Sequence, residues 1–120
     1  MKTVGLSVAA VALCLASVVP ANAAVTRFDG SWNLQFVTQR GACDTYSFTV
    51  NVNDGIVTHP NLVRFRGRVQ NSGSVTASVT VMDKFASGAG KLAGATGRGT
   101  WSGRSGQDRC GGYWTAQKAS

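Results

Sequence analysis

Between Trp32 and Ala116 apolar residues recur at alternate positions, in short runs separated by glycine, asparagine and aspartate, and no stretch carries helical spacing. Alternation of this kind turns one face of an extended chain to a core and the other to water. It excludes helical bundles and layered α/β arrangements before any other property is weighed.

The runs can be followed in order. Phe28, Trp32, Leu34 and Phe36 share one parity, with Asn33 and Gln35 on the other. Gly41-Ala42-Cys43-Asp44 turns the chain, after which Tyr46, Phe48, Val50 and Val52 alternate with Ser47, Thr49, Asn51 and Asn53. Asn53-Asp54-Gly55 is a tight-turn signal, because Asp-Gly supplies the positive φ angles of a primed hairpin turn. A short return over Ile56 to His59 and a break at Pro60-Asn61 lead to a run from Leu62 to Gln70. There Phe65, Gly67 and Val69 face one way, and Arg64, Arg66 and Arg68 face the other. Beyond Asn71-Ser72-Gly73, Val75, Ala77, Val79 and Val81 alternate with Thr76, Ser78 and Thr80.

From Phe85 the inward positions shrink. Gly88, Gly90, Leu92 and Gly94 form one parity, Gly94-Ala95-Thr96-Gly97 turns the chain, and Gly97, Gly99, Trp101 and Gly103 form the next. Ser102 to Arg109 reads as a polar loop. Cys110, Gly112, Trp114 and Ala116 then line one face of a last strand.

The fold class is therefore all-β, with about eight strands, most economically an antiparallel meander closed into a small barrel. Periodicity does not report closure, so a β-sandwich or an open coiled sheet meets the same pattern. Each tryptophan (Trp32, Trp101, Trp114) follows a glycine by two positions, so glycine and indole share a face and the ring can lie on bare backbone. The glycines from Gly88 to Gly103 mark a sharply coiled region, where a large aromatic from a neighbouring strand fills the space of missing side chains. Trp32, Phe36, Phe48, Phe65, Trp101 and Trp114 all point inward. In so small a domain that favours a filled interior over one hollowed at a mouth.

The chain ahead of this domain is a different object. Met1-Lys2-Thr3 is a short basic start, Val4 to Val19 is almost wholly apolar, Pro20 interrupts, and Ala21-Asn22-Ala23 is a cleavage site of the A-x-A type. Residues 1–23 thus read as a secretory signal peptide and residues 24–120 as a single exported domain, secreted or periplasmic, with no later run near the ~20 apolar residues of a spanning helix. Cys14 lies within the leader's apolar run and leaves with it. Cys43 and Cys110 remain, and in an oxidising compartment one pair allows one connectivity, a disulfide holding the first strand to the last. A zinc site built from two cysteines and the lone His59 lacks ligands.

Removing Lys2 from the twelve basic residues leaves eleven against five aspartates and no glutamate, a charge of about +6. After export the available polyanions are lipid head groups, lipopolysaccharide and acidic polysaccharides; nucleic acid is not expected. Arg64, Arg66 and Arg68 stand about 7 Å apart along one strand face, a spacing suited to an anionic polymer or lipid surface. Arg98, Arg104 and Arg109 can widen that patch. The competing reading is a solvated strand whose charges discourage edge pairing.

Catalytic chemistry finds little to work with. There is one histidine, and the aspartates fall at strand starts, turns and loops, where they cap backbone. No nucleophile elbow is present, and Gly90-Lys91 is followed by Leu92 instead of the Ser or Thr of a phosphate loop. A non-catalytic domain without cofactor or metal is expected.

The order Phe28-Asp29-Gly30-Ser31-Trp32, Cys43, Asp54-Gly55, Gly67 to Val69, Gly73 to Val75, Ala86-Ser87-Gly88-Ala89-Gly90, Gly97 to Trp101, Cys110 and Gly112 to Ala116 resembles small exported bacterial proteins of unknown function. The resemblance spans nearly the whole of residues 24–120 and implies a recurrent compact domain with no assigned activity. A looser similarity, through Gly-x-Trp in the first strand, is to avidin-like and lipocalin-like barrels; it transfers no ligand residues. The expected function is a binding or envelope-associated protein that meets anionic polymers or lipid surfaces through its basic strand. The alternative is a small-ligand carrier or protein inhibitor using a barrel mouth or loop.

Overall fold

In a computed structural model describing residues 26–120, eight antiparallel strands run in sequence order and close into a barrel. They are β1 (Gly30–Arg40), β2 (Tyr46–Asn53), β3 (Ile56–His59), β4 (Leu62–Val69), β5 (Ser74–Val81), β6 (Lys84–Ala93), β7 (Thr96–Ser105) and β8 (Asp108–Lys118). Residues 1–23, with Cys14, lie outside the described residues. The meander closes where β1, already paired to β2, also pairs with β8 from Trp32↔Lys118 to Phe36↔Trp114 and beyond. Sandwich and open sheet are thereby excluded.

Turn chemistry sets the register. Asp54 (φ 53°) and Gly55 (φ 79°) make the primed turn between β2 and β3. Asp29 reinforces it, its carboxylate accepting the Asp54 N–H at 2.9 Å and tying the start of β1 to this turn. The polar loop expected over Ser102 to Arg109 is instead a two-residue hairpin. Arg104 pairs with Arg109 and Ser105 with Asp108, leaving only Gly106 and Gln107 to turn, with Gly106 at φ 62°. Ser102 and Arg104 are polar because they face outward on a strand.

The two ends of the barrel differ. At the end holding the β2–β3, β4–β5 and β6–β7 turns, Trp32, Val50, Val52, Val69 and Leu92 are all buried, and Phe28, just ahead of β1, folds over them. The Trp32 indole N–H donates to the Phe28 carbonyl at 2.8 Å, so the ring is buried with its one polar group satisfied. This end is a filled floor. The other end carries the β1–β2 connection, Pro60-Asn61, and the tips of the β5–β6 and β7–β8 hairpins, and it is open.

The disulfide joins Cys43, in the β1–β2 connection, to Cys110 in β8, with Cα atoms 6.0 Å apart. It therefore crosses the closing seam at the open end. The bond closes a loop of 67 positions, for which chain entropy gives roughly 4 kcal/mol.

Candidate functional site

Trp114, together with carbonyl oxygens of the paired strand, accounts for three glycines of β6 and β7. A Cβ added at Gly90 would stand 2.6 Å from its Cζ2, one at Gly99 2.6 Å from its Nε1, and one at Gly88 3.4 Å from Nε1. The indole thus lies on bare backbone, but on that of the two preceding strands. A Cβ at Gly90 or Gly99 would also meet the carbonyl oxygen of Arg98 or Ala89, and in the Gly-x-Trp pairs a Cβ at Gly30 or Gly112 would meet that of Ser120 or Val37, with the indole two residues on not among the nearest atoms. Trp101 reaches across Gly112 of β8 and donates its N–H to the Val37 carbonyl of β1 at 3.1 Å. Trp32, Trp101 and Trp114 are 1%, 7% and 5% exposed.

Above Trp114 the interior is not filled. A cavity of about 330 Å³ opens at the mouth, with a lining that is predominantly apolar. One wall is aromatic: Phe36 stacks on Phe48 with centroids 5.4 Å apart, and Phe65 meets Phe48 edge-on at 6.4 Å. His59 packs behind these aromatics, its ring 5.5 Å from Phe48, while its Nδ1 accepts the Asn61 N–H. The facing wall, on β5 and β6, presents Ala77, Ala86 and Gly88. Large residues facing small ones leave the gap, and the filled interior expected from the aromatic content holds only for the floor half. Three aromatics packed against one another on one side cannot fill space that alanine and glycine vacate on the other.

The rim carries Tyr46, Leu62, Val81 and Phe85 together with Lys84, Arg104 and Ser105. Met82, at the β5–β6 tip, is 94% exposed and adopts φ 55°. An apolar side chain in the left-handed region, fully in water, is strained and unsheltered.

The arginines divide into separate groups. Arg64, Arg66 and Arg68 are exposed on the outer face of β4, where Arg66 and Arg68 border an open groove with Thr76, Ser78 and Ser87. Arg98 sits on β7 opposite Lys91, near the floor, and Arg104 sits on β7 opposite Arg109, at the mouth. β5 and β6 lie between β4 and β7, so the curved wall turns the two groups apart. Among the described residues no three or more His, Cys, Asp or Glu side chains gather as a metal set, and no helix is long and apolar enough to cross a membrane.

Comparison with protein-family models, with curated proteins and with solved structures returns no match. The motif order therefore carries no family assignment.

Proposed function

We propose that this chain is an exported, non-catalytic binding protein that takes a small apolar molecule into the mouth of its barrel. The observation that carries this reading is the open apolar cavity between the Phe36, Phe48 and Phe65 wall and the Ala77, Ala86 and Gly88 wall. A monomeric domain that wanted only stability gains by filling such a space, since lost packing contacts cost free energy. Export is supported by the leader pattern of residues 1–23 and agrees with the Cys43–Cys110 disulfide.

The test is titration of oxidised residues 24–120 with neutral N-phenylnaphthylamine, reading probe emission and quenching of the tryptophans. Saturable one-to-one binding, little changed by added salt, is the expected result. A linear, non-saturating response would remove the carrier reading.

The basic face of β4 supports a second role. Arg64, Arg66 and Arg68 are all exposed, and the groove beside Arg66 and Arg68 offers the hydroxyls of Thr58, Thr76, Ser78 and Ser87 with no acidic residue in its lining. Such a surface suits an anionic envelope polysaccharide or lipid head group. Retention on immobilised lipopolysaccharide should fall steeply with salt and be lost in the Arg64→Gln, Arg66→Gln, Arg68→Gln variant. Unchanged retention in that variant rejects this role.

A further inference from the structure

No acidic side chain stands on β3 to β7. Along that stretch of wall, cross-strand register sets two rungs side by side on the outer face. Arg66 pairs with Ser78 and Ser78 with Ser87, while Ile56 pairs with Arg68 and Arg68 with Thr76. Ser78 and Ser87 are half-buried, whereas Arg66 and Arg68 are exposed. Short hydroxyl side chains thus form the base of the groove, and the arginines stand over it.

The groove holds about 570 Å³, within the roughly 300–1,000 Å³ of small-molecule sites, so it suits a chain of a few rings better than a bare anion. Neighbouring strands lie about 4.8 Å apart, so the hydroxyls of one rung repeat at close to the advance of one sugar ring in an extended chain. Ile56, 40% exposed at the edge of the groove, offers apolar surface to the C–H face of such a ring. A lipid leaflet fits this wall poorly. It is flat and meets a barrel only at its crests, and the exposed apolar side chains that would enter it, Tyr46, Val81, Met82 and Phe85, sit at the mouth.

Resting on the basic-face role above, we propose that the β4 groove binds a uronate-containing oligosaccharide laid across the strands. The guanidinium groups of Arg66 and Arg68 take a carboxylate, which their planar donor forks fit. Thr76, Ser78 and Ser87 exchange hydrogen bonds with ring hydroxyls, each side chain able to donate and to accept. The arginines attract any anion, and the hydroxyl rung supplies the preference for a sugar. A small anion held at Arg66 does not reach Ser87, two strands and about 10 Å away.

Calorimetric titration of oxidised residues 24–120 with trigalacturonate, citrate and maltotriose tests this. At mildly alkaline pH the first two carry three carboxylates each, so charge alone binds them equally, and maltotriose supplies rings without charge. Trigalacturonate should bind about tenfold tighter than citrate, the scale of one or two net hydrogen bonds, with maltotriose weakest. In the Ser78→Val, Ser87→Val variant, trigalacturonate should fall to the level of citrate while citrate is unchanged. Valine suits a strand position, and circular dichroism checks the fold. Equal or reversed affinities for trigalacturonate and citrate in the unaltered protein overturn sugar selection and leave the basic-face role intact. A preference that survives in the valine variant overturns the placement on the Ser78 and Ser87 rung. Maltotriose binding as tightly as trigalacturonate overturns the part given to Arg66 and Arg68. Capture by phosphatidylglycerol vesicles without binding of trigalacturonate also overturns the proposal, since the wall would then read a membrane surface. Failure of both anions and of the vesicles to bind defeats the basic-face role itself.

Discussion

Gly99 shows how much one missing side chain decides. A Cβ there would run into the Ala89 carbonyl oxygen of the paired strand and stand 2.6 Å from Trp114 Nε1, so Gly99→Ala must part the β6–β7 backbones as well as move the largest side chain of β8. Overpacking of this kind costs roughly 1–3 kcal/mol; thermal unfolding of Gly99→Ala should occur about 10 °C lower, on the scale of 4–8 °C per kcal/mol for a domain this size. A loss of less than about 2 °C would mean that both the Ala89 backbone and the ring give way readily. Met82 presents the opposite case: with φ 55° it occupies a position where asparagine is far better tolerated. Met82→Asn should raise the melting temperature by a few degrees, equivalent to about 0.5–1 kcal/mol, and an unchanged or lower value would argue against strain there. The glycine requirement was legible in the sequence, because small residues cluster at Gly88, Gly90, Gly97 and Gly99. That an aromatic from a neighbouring strand fills the space was legible too, but its identity was not: only register brings in Trp114 of β8.

At the scale of strands and their connections, the disulfide and the β7–β8 hairpin show what period-two reading delivers and where it stops. Pairing Cys43 with Cys110 needed only a count of cysteines and a compartment, and the bond falls at the β1–β8 seam where the first and last strands of a closed meander must meet. Reading Ser102 to Arg109 as loop failed for a different reason: an outward-facing strand segment with serine, arginine and glycine has the same composition as a loop, and only cross-strand pairing tells them apart. Because the bond anchors the β1–β2 connection over the mouth and Cys43 lines the cavity, its removal should act on both stability and binding. Cys43→Ser with Cys110→Ser should destabilise by about 3–4 kcal/mol, and the same variant should bind N-phenylnaphthylamine more weakly at temperatures where it remains folded. Denaturant melts and probe titrations run in parallel check both parts; a stability loss with unaltered affinity would show that the connection does not shape the mouth.

For the whole molecule, closure and hollowness are properties that no single strand carries. Alternation fixes which side chains face inward, and Trp32, Phe48, Phe65 and Trp101 all do, yet whether they meet at the centre depends on how far apart closure holds the walls and on which sizes stand opposite one another. Around the floor, large residues from β1, β2, β4 and β6 converge with Phe28 above them; toward the mouth the aromatic wall faces alanine and glycine. If that gap is a binding site, filling it should abolish binding without harming the fold. Ala86 lines the gap beside Val79 and Gly103, and Ala86→Phe sets a ring into it from the small-residue wall. In a close-packed interior such a substitution costs about 1–3 kcal/mol; over an open well it should leave the melting temperature unchanged or a few degrees higher, while saturable uptake of N-phenylnaphthylamine disappears. The two readouts separate the alternatives. A stable variant that no longer binds places the ligand in the well. A stable variant that binds as before places it elsewhere on the barrel, and a strongly destabilised one shows that the mouth half is as tightly packed as the floor.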